Sequence, residues 1–268
     1  PELRKRKYPE KILLGSLAGS GTLGLLIPPS IILIIYGVAV QESIAKLFIA
    51  GIIPGIMIAL IFMSYVIIWS LINKKIMPKI LEEYSFIDKI KRSKQLLPVI
   101  ILIVAVIGSI YTGIATATEA ASLGVLGALI LSYFQKSLTV ETFKSSLMGA
   151  TKTSCMIAFI LAGSTFLSLA MGFTGLPRNL ALWIQNMELS PYVLIFVLMI
   201  FYIILGMFLD GISAVVLTMA IIEPMIRQAG FDMIWFGIFL VIVVEMAQIT
   251  PPVGFNLFVL QGMANKDM

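Results

Sequence analysis

Long apolar runs are the feature of this sequence that most restricts its fold. Runs of about 20 residues or more recur, as at 47–72 and 192–209, and each can cross the hydrocarbon core of a bilayer. The runs are continuous rather than alternating, which favours helices over barrel strands. Only 12% of the residues are charged, against about a quarter in soluble domains. The sequence therefore predicts an all-α, polytopic membrane protein embedded in a lipid bilayer.

Basic residues are concentrated in two short segments of the chain. Seven of the 19 lysines and arginines lie within 74–94, and five lie within 4–11. Such clusters mark the cytoplasmic loops of membrane proteins, so the net charge of +5 does not indicate a nucleic-acid partner. The chain has no histidine and no combination typical of a catalytic triad, a P-loop or a metal cluster. We therefore predict that it is not an enzyme and holds no organic cofactor.

The order of the apolar segments predicts the topology. Residues 190–227 are too long for one span and too short for two spans with a loop, so we expect a re-entrant hairpin with its tip near Asp210. Two shorter segments, 138–148 and 176–187, are amphipathic and are predicted to be interfacial arm helices. The remaining segments are predicted spans, at 10–40, 46–72, 96–114, 118–134, 154–173 and 231–261.

Two pairs of adjacent prolines interrupt the first and the last of these spans. They are Pro28 with Pro29 and Pro251 with Pro252. Proline has no N–H group and clashes with the preceding turn, so each pair should break its helix and free carbonyl groups upstream. We also expect the glycines of residues 19–24 to give the first interruption unusual dihedral angles.

The two interruptions are related by a shift of 223 residues, which places Pro28 on Pro251 and Tyr8 on Phe231. From the start of the first copy to the start of the second, the chain makes five predicted crossings, counting the first span itself, and one hairpin, and an odd number of crossings inverts the second copy. Inverted repeats with interrupted helices are typical of secondary transporters. By the same repeat arithmetic, we expect the chain to be a fragment that lacks an N-terminal hairpin region of about a hundred residues and a last helix.

Oxygen atoms at the interruptions suit a hard monovalent cation such as Na⁺. They would come from freed backbone carbonyls and from the hydroxyl groups of Ser20, Thr22 and Thr250. The alternative is a pair of kinked helices whose carbonyls are satisfied internally.

Three of the acids within or at the ends of apolar segments bear on function. Asp210, at the predicted hairpin tip, is a candidate site residue, and the alternative is an N-cap for the next helix; the two roles are compatible. Glu245 has no basic residue in its span, which favours contact with a ligand or a coupling ion over a structural hydrogen bond. Glu119 should act structurally, as an acid in the first turn of a helix.

Five segments resemble the large membrane subunit of the TRAP transporters, the tripartite ATP-independent periplasmic transporters. They cover the chain in the family's order: GTLGLLIPPS (21–30), LFIAGIIPG (47–55), ATATEAASLG (115–124), GMFLDGISAVVLTM (206–219) and EMAQITPPVGFNLFVLQG (245–262).

The resemblance implies an elevator-type carrier for Na⁺-coupled uptake of an organic acid across the bacterial inner membrane. C4-dicarboxylates, sialic acid and other sugar acids fit the family. It also implies a small membrane subunit and a periplasmic substrate-binding protein as partners. The competing class is an ion-uncoupled anion exchanger or a channel.

The resemblance also implies the residues of the sites and the domains that carry them. The sodium-binding candidates are Ser20, Gly21, Thr22, Gly24, Asp210, Gly211, Ser213, Thr250 and Pro251. The substrate-binding candidates are Thr22, Ser213, Glu245, Gln248 and Asn256. The predicted moving domain comprises 10–40 with 190–262, the predicted scaffold comprises 46–135 with 151–173, and the arms link them.

Overall fold

The structure, a computed structural model, describes residues 8–78, 94–186, 190–252, 254, 256–257 and 260. These residues form α-helices, one short 3-10 helix at Lys94–Leu96, and connecting turns, and they contain no strand. The α-helices are α1 (Glu10–Leu26), α2 (Ile31–Ala39), α3 (Ile44–Ile72), α4 (Leu97–Tyr111), α5 (Ala117–Phe134), α6 (Val140–Thr174), α7 (Leu176–Asn186), α8 (Pro191–Gly206), α9 (Gly211–Gln228) and α10 (Met233–Gln248).

Several of these helices have the length and composition of membrane spans. Within the described part of the chain, α3, α5, α6 and α9 each qualify alone, and α1 with α2 makes a fifth span if the bent pair is counted as one. Helices α4, α8 and α10 are apolar but shorter. The prediction of an all-α, polytopic membrane protein is confirmed.

The first proline pair breaks the first span where the sequence predicts. Helix α1 ends at Leu26, α2 begins at Ile31, and the two axes differ by 41°. Ser30 begins the second helix, because its hydroxyl oxygen accepts a hydrogen bond from the Leu33 amide at 3.2 Å. The peptide bond between Pro28 and Pro29 is cis.

The chain between 138 and 174 differs from the prediction of an arm followed by a separate span. Helix α6 runs unbroken for 35 residues. No proline interrupts this stretch, and its polar residues are accommodated along the helix: the hydroxyl of Thr151 donates to the Leu147 carbonyl one turn earlier, at 2.8 Å. Polarity on one face was therefore not a sign of a helix end.

The chain divides into two compact units, one of residues 1–78 with 160–268 and one of residues 79–159. These boundaries are not those of the predicted moving and fixed domains. That functional division remains a prediction.

Helix α10 lies at the centre of the larger unit. It packs against α1, α2, α3, α8 and α9. Two of its contacts are close because a glycine removes a side chain. A β-carbon on Gly237 would lie 2.5 Å from the Tyr36 ring, and one on Gly206 would lie 2.6 Å from the Ala247 β-carbon. Most residues of α10 are consequently buried, among them Phe236, Leu240 and Val244.

The described part of the smaller unit is built on the pair of helices α4 and α5. Gly113, with φ of +71°, lies in the turn between them. Thr116 and Glu119 then form a reciprocal capping box at the start of α5, in which each side chain accepts a hydrogen bond from the other residue's amide. The structural role predicted for Glu119 is confirmed.

Candidate functional site

The first interruption leaves backbone carbonyl groups without their helical partners. Pro28 and Pro29 have no N–H groups, so the carbonyls of Gly24 and Leu25 cannot accept the usual bond from four residues ahead. The Leu25 carbonyl instead accepts a hydrogen bond from the Ser30 hydroxyl. The Gly24 carbonyl has no such helical donor, because position 28 is proline.

The glycines of residues 19–24 do not shape this interruption, contrary to the prediction. Helix α1 continues through them to Leu26, and none of them has a positive φ. The missing N–H groups of the prolines are sufficient to end the helix. Gly21 and Gly24 are exposed, and a β-carbon on either would meet nothing within 4 Å.

Of the four sodium-binding candidates on α1, only Thr22 points into the protein. It is 1% exposed, and its hydroxyl donates to the Gly19 carbonyl at 2.8 Å. Ser20 is exposed and donates to the Leu17 carbonyl at 3.3 Å. Each oxygen keeps lone pairs that can accept a hydrogen bond or coordinate a cation.

The second interruption repeats the first at the end of α10. The peptide bond between Pro251 and Pro252 is also cis, and both prolines are exposed. The Thr250 hydroxyl donates to the Met246 carbonyl at 2.6 Å, and its amide donates to the Ala247 carbonyl at 3.0 Å. This closes the helix with a short turn and leaves the proline pair outside it.

The turn between α8 and α9 lies where the sequence places the hairpin tip, although α9 alone is long enough to span a membrane, and the re-entrant path remains a prediction. Helix α8 ends at Gly206 and α9 begins at Gly211. Asp210 is the N-cap of α9, because its carboxylate accepts a hydrogen bond from the Ser213 amide at 3.1 Å. The capping role is confirmed, and it leaves the second carboxylate oxygen available for other contacts.

The hairpin tip and the second interruption lie against each other. A β-carbon on Gly211 would be 2.6 Å from the side-chain nitrogen of Gln248, at the end of α10. The Gly254 amide, just after the second proline pair, donates to the Met207 carbonyl in the tip at 3.3 Å. The structure thus brings Asp210 and Gly211 into the same region as Gln248 and the second proline pair.

The two groups of sodium-binding candidates differ in their surroundings. Those on the hairpin tip lie in the same region as those after α10, because Gly211 is close to Gln248 and the Gly254 amide is bonded to Met207. Ser20, Gly21 and Gly24 lie on an exposed face of α1. Asn256, a substrate-binding candidate, is half-buried just beyond the second proline pair.

Buried polar side chains in the described residues coincide with the interruptions. They are Thr22, Ser30, Glu245 and Gln248, each at most 4% exposed. Three of them are site candidates from the sequence. Ser30 was missed, although a serine that follows two prolines and precedes an apolar run is a recognisable helix-start signal.

Glu245 is the member of this group with a buried polar atom that lacks a hydrogen-bond partner in the described part of the chain. That atom is Oε1, while the carboxyl group is hydrogen-bonded to the Leu26 backbone. Position 245 corresponds to Thr22 under the 223-residue shift, and Thr22 satisfies its own hydroxyl within α1. The two copies of the repeat are therefore chemically different at this point.

Chemically, the arrangement offers oxygen atoms with little positive charge nearby. Carbonyl, hydroxyl and carboxylate oxygens are the ligands that hard cations prefer, and interrupted helices supply them at membrane depth. An all-helical membrane protein with paired helix interruptions and a polar hairpin tip has the features of a secondary transporter.

The whole chain, residues 1–268, matches the family model described as the DctM component of the tripartite ATP-independent periplasmic transporters. The chain belongs to this family, as the sequence motifs predict, and is a multi-pass protein of the bacterial inner membrane.

Three curated relatives illustrate the range of the family. The C4-dicarboxylate TRAP transporter large permease protein DctM of Pseudomonas aeruginosa is 32% identical over 94% of this chain and 58% of its own length. The 2,3-diketo-L-gulonate large permease YiaN of Escherichia coli is 32% identical over 98% of this chain and 62% of its own. The sialic acid large permease SiaM of Vibrio cholerae is 31% identical over 96% and 60%. The chain thus spans about three fifths of the length of these relatives.

Proposed function

We propose that this chain is the transporting part of a Na⁺-coupled carrier that takes up an organic acid across the bacterial inner membrane. The contact between the hairpin tip and the second helix interruption is the observation that carries the proposal. It brings Asp210, Gly211 and Gln248 into the region of the second proline pair. Oxygen-rich helix interruptions of this kind are where secondary transporters bind coupling ions and substrate.

The proposed sodium ligands fall into two groups. Asp210, Gly211, Ser213, Thr250 and Pro251 form the group at the hairpin tip, in which Asp210 supplies a negative charge. Ser20, Gly21, Thr22 and Gly24 form the group on α1, in which the Gly24 carbonyl lacks its helical donor.

The proposed substrate lies between the two groups. Thr22, Ser213, Glu245, Gln248 and Asn256 are the candidates for contacting it. An organic acid fits because relatives named for C4-dicarboxylates, 2,3-diketo-L-gulonate and sialic acid share this family, and all three are acids. The N-terminus of α9, at the hairpin tip, can attract a carboxylate group.

Two partners follow from the tripartite family description: a small membrane subunit and a periplasmic substrate-binding protein. One relative, the isethionate permease DctMQ of Oleidesulfovibrio alaskensis, is 30% identical over 99% of this chain and 42% of its own length. We propose that uptake requires both partners and that the chain catalyses no chemical conversion.

Uptake by the full-length transporter in proteoliposomes tests this function. The small subunit is included in the membrane and the cognate periplasmic protein, loaded with labelled substrate, is added outside. We expect saturable uptake that stops when Na⁺ is replaced by an equal concentration of K⁺. Undiminished uptake in K⁺ would instead support the competing class, an uncoupled anion exchanger or a channel.

A further inference from the structure

Glu245 has a buried carboxyl oxygen that lacks a hydrogen-bond partner among the described residues. The residue is 4% exposed, and the atom without a donor in the described part of the chain is Oε1. The carboxyl group is hydrogen-bonded to the backbone of Leu26, in the last turn of α1. Glu245 therefore lies between the ends of α1 and α10, next to both interruptions of the repeat.

An ionised carboxylate in this position would be costly. Removing a carboxylate from water costs several kcal/mol even after relaxation, and only a close opposite charge or several donors offset the cost. Within the described residues, no lysine or arginine forms an ion pair with Glu245, and one of its two oxygens has no donor.

The helices packed against α10 offer no compensating charge. Arg227 on α9 is held by Glu223, Glu42 and the Val40 carbonyl, and Lys46 on α3 is exposed. Asp210, at the N-terminus of α9, is an acid and offers no positive charge either. The other titratable residues on these helices are Glu10 and Lys11 on α1, Tyr36 on α2, Tyr65 on α3, Tyr192 and Tyr202 on α8, and Glu223 on α9.

Most of these other groups are engaged or distant. The Tyr36 hydroxyl donates to the Met233 carbonyl at 2.6 Å, which is twelve residues before Glu245 on α10. The Tyr202 hydroxyl is bonded to Thr218 at 2.6 Å. Glu10 and Lys11 lie in the first turn of α1, about three turns before Thr22.

We propose that the Glu245 side chain binds a proton. It is then a neutral carboxylic acid at the place where α10 packs against α1. The neutral acid restores the symmetry of the repeat, because Thr22 at the equivalent position is also a neutral group with a hydroxyl hydrogen. Its role in uptake rests on the proposed function. A protonated Glu245 can lie beside an anionic substrate and donate a hydrogen bond to it, whereas the carboxylate would repel that substrate.

Infrared spectroscopy of the purified full-length transporter tests the protonation state without measuring transport. The C=O stretch of a protonated carboxyl group is distinct from the bands of a carboxylate. We expect the wild-type spectrum at neutral pH to contain an acid band that E245Q removes. The matched control is E223Q, since Glu223 is a more exposed acid paired with Arg227, and this variant should leave the band unchanged.

Two spectroscopic results would overturn the proposal. In the first, E245Q removes only carboxylate bands. In the second, the acid band of Glu245 is replaced by a carboxylate band in Na⁺ but not in K⁺, which would assign the free oxygen to Na⁺.

The pH dependence of uptake is the second test. Wild-type uptake should fall as rising pH removes the proton, and E223Q should follow the same profile. The isosteric E245Q variant should take up substrate at a rate that does not change with pH over that range, whatever its absolute rate.

An E245Q variant with the same pH dependence of uptake as the wild type would contradict the proposal. If E245Q transports nothing, the infrared comparison of wild type and E245Q tests the proposal instead. Loss of Na⁺ dependence would contradict the proposed function but would leave the infrared result intact.

Discussion

Gly211 and Gln248 are in contact so close that a β-carbon at position 211 would lie 2.6 Å from the Gln248 side-chain nitrogen. The same β-carbon would lie 2.7 Å from Ile32 and 2.9 Å from Val244. This contact is where the hairpin tip meets α10 and α2, and it depends on the absence of a side chain.

Replacing Gly211 should therefore disturb both packing and transport. We expect G211A to destabilise the protein by about 1–3 kcal/mol, the usual cost of overpacking, because three neighbours have to move at once. We also expect it to reduce uptake. Thermal unfolding in detergent and uptake in proteoliposomes measure the two effects. The control is G15A, on an exposed part of α1 where a β-carbon meets nothing within 4 Å, and it should be neutral or slightly stabilising. Equal effects of the two variants would contradict the packing argument.

Gly237 should tolerate alanine as poorly as Gly211 does. Here the obstacle is one anchored aromatic ring instead of three separate side chains. Its β-carbon would lie 2.5 Å from the Tyr36 ring, which is fully buried and anchored by its hydroxyl bond to Met233. We expect G237A to cost about 1–3 kcal/mol in unfolding free energy. Y36F should cost about 1–3 kcal/mol, because the Met233 carbonyl loses a buried donor. In G237A, the added Y36F change should restore little stability, since the ring itself is the obstacle. Full recovery in the double variant would show that the hydroxyl bond, rather than the ring, fixes the contact.

The two roles of Asp210 can be separated by substitution. Asparagine is as good an N-cap as aspartate, so D210N should keep the stability of α9, whereas D210A should lose about 1 kcal/mol. If Asp210 also binds Na⁺, D210N should raise the Na⁺ concentration for half-maximal uptake by about tenfold, equivalent to ~1.4 kcal/mol of binding free energy. A sodium dependence unchanged in D210N would restrict Asp210 to capping.

Arg227 joins the end of α9 to the turn after α2. It donates to the Val40 carbonyl at 3.1 Å and to Glu223 at 2.9 Å, and it lies 3.8 Å from Glu42. Because the Arg227 side chain is 47% exposed, we expect R227A to lower the unfolding free energy by no more than about 1 kcal/mol, less so at high salt. A double-mutant cycle with E223Q measures the pair. A loss of several kcal/mol would mean that the site is far less hydrated than its exposure indicates.

The sequence was sufficient to predict the elements whose causes are local. Proline pairs have no N–H groups to donate, so both interruptions were predictable, as was the capping role of Asp210. The continuous α6 was not, because the amphipathic character of 138–148 predicted a boundary although no proline lies between 140 and 174. The role assigned to the glycines of 19–24 was wrong for a related reason: glycine permits an unusual backbone but does not impose one.

The contacts that join distant segments were beyond the reach of local patterns. Nothing near Gly211 or Gly237 in the sequence indicates that Gln248 or Tyr36 would occupy the space of the missing side chain. The candidate residues at the hairpin tip were named from motifs, and their proximity to α10 follows only from the packing of α8 and α9 against it. Whether a hydrogen-bond donor reaches Glu245 Oε1 likewise depends on how all the helices around α10 pack against it.

The proposed carrier moves its substrate only if Na⁺ drives that movement. The most direct measurement is accumulation of labelled substrate in proteoliposomes of the full-length transporter, with its small subunit and loaded periplasmic protein, under an imposed inward Na⁺ gradient. The account predicts that the internal substrate concentration rises above the external one and falls back when a Na⁺ ionophore dissipates the gradient. Uptake that only equilibrates, or that is the same with equal Na⁺ on both sides, would contradict it.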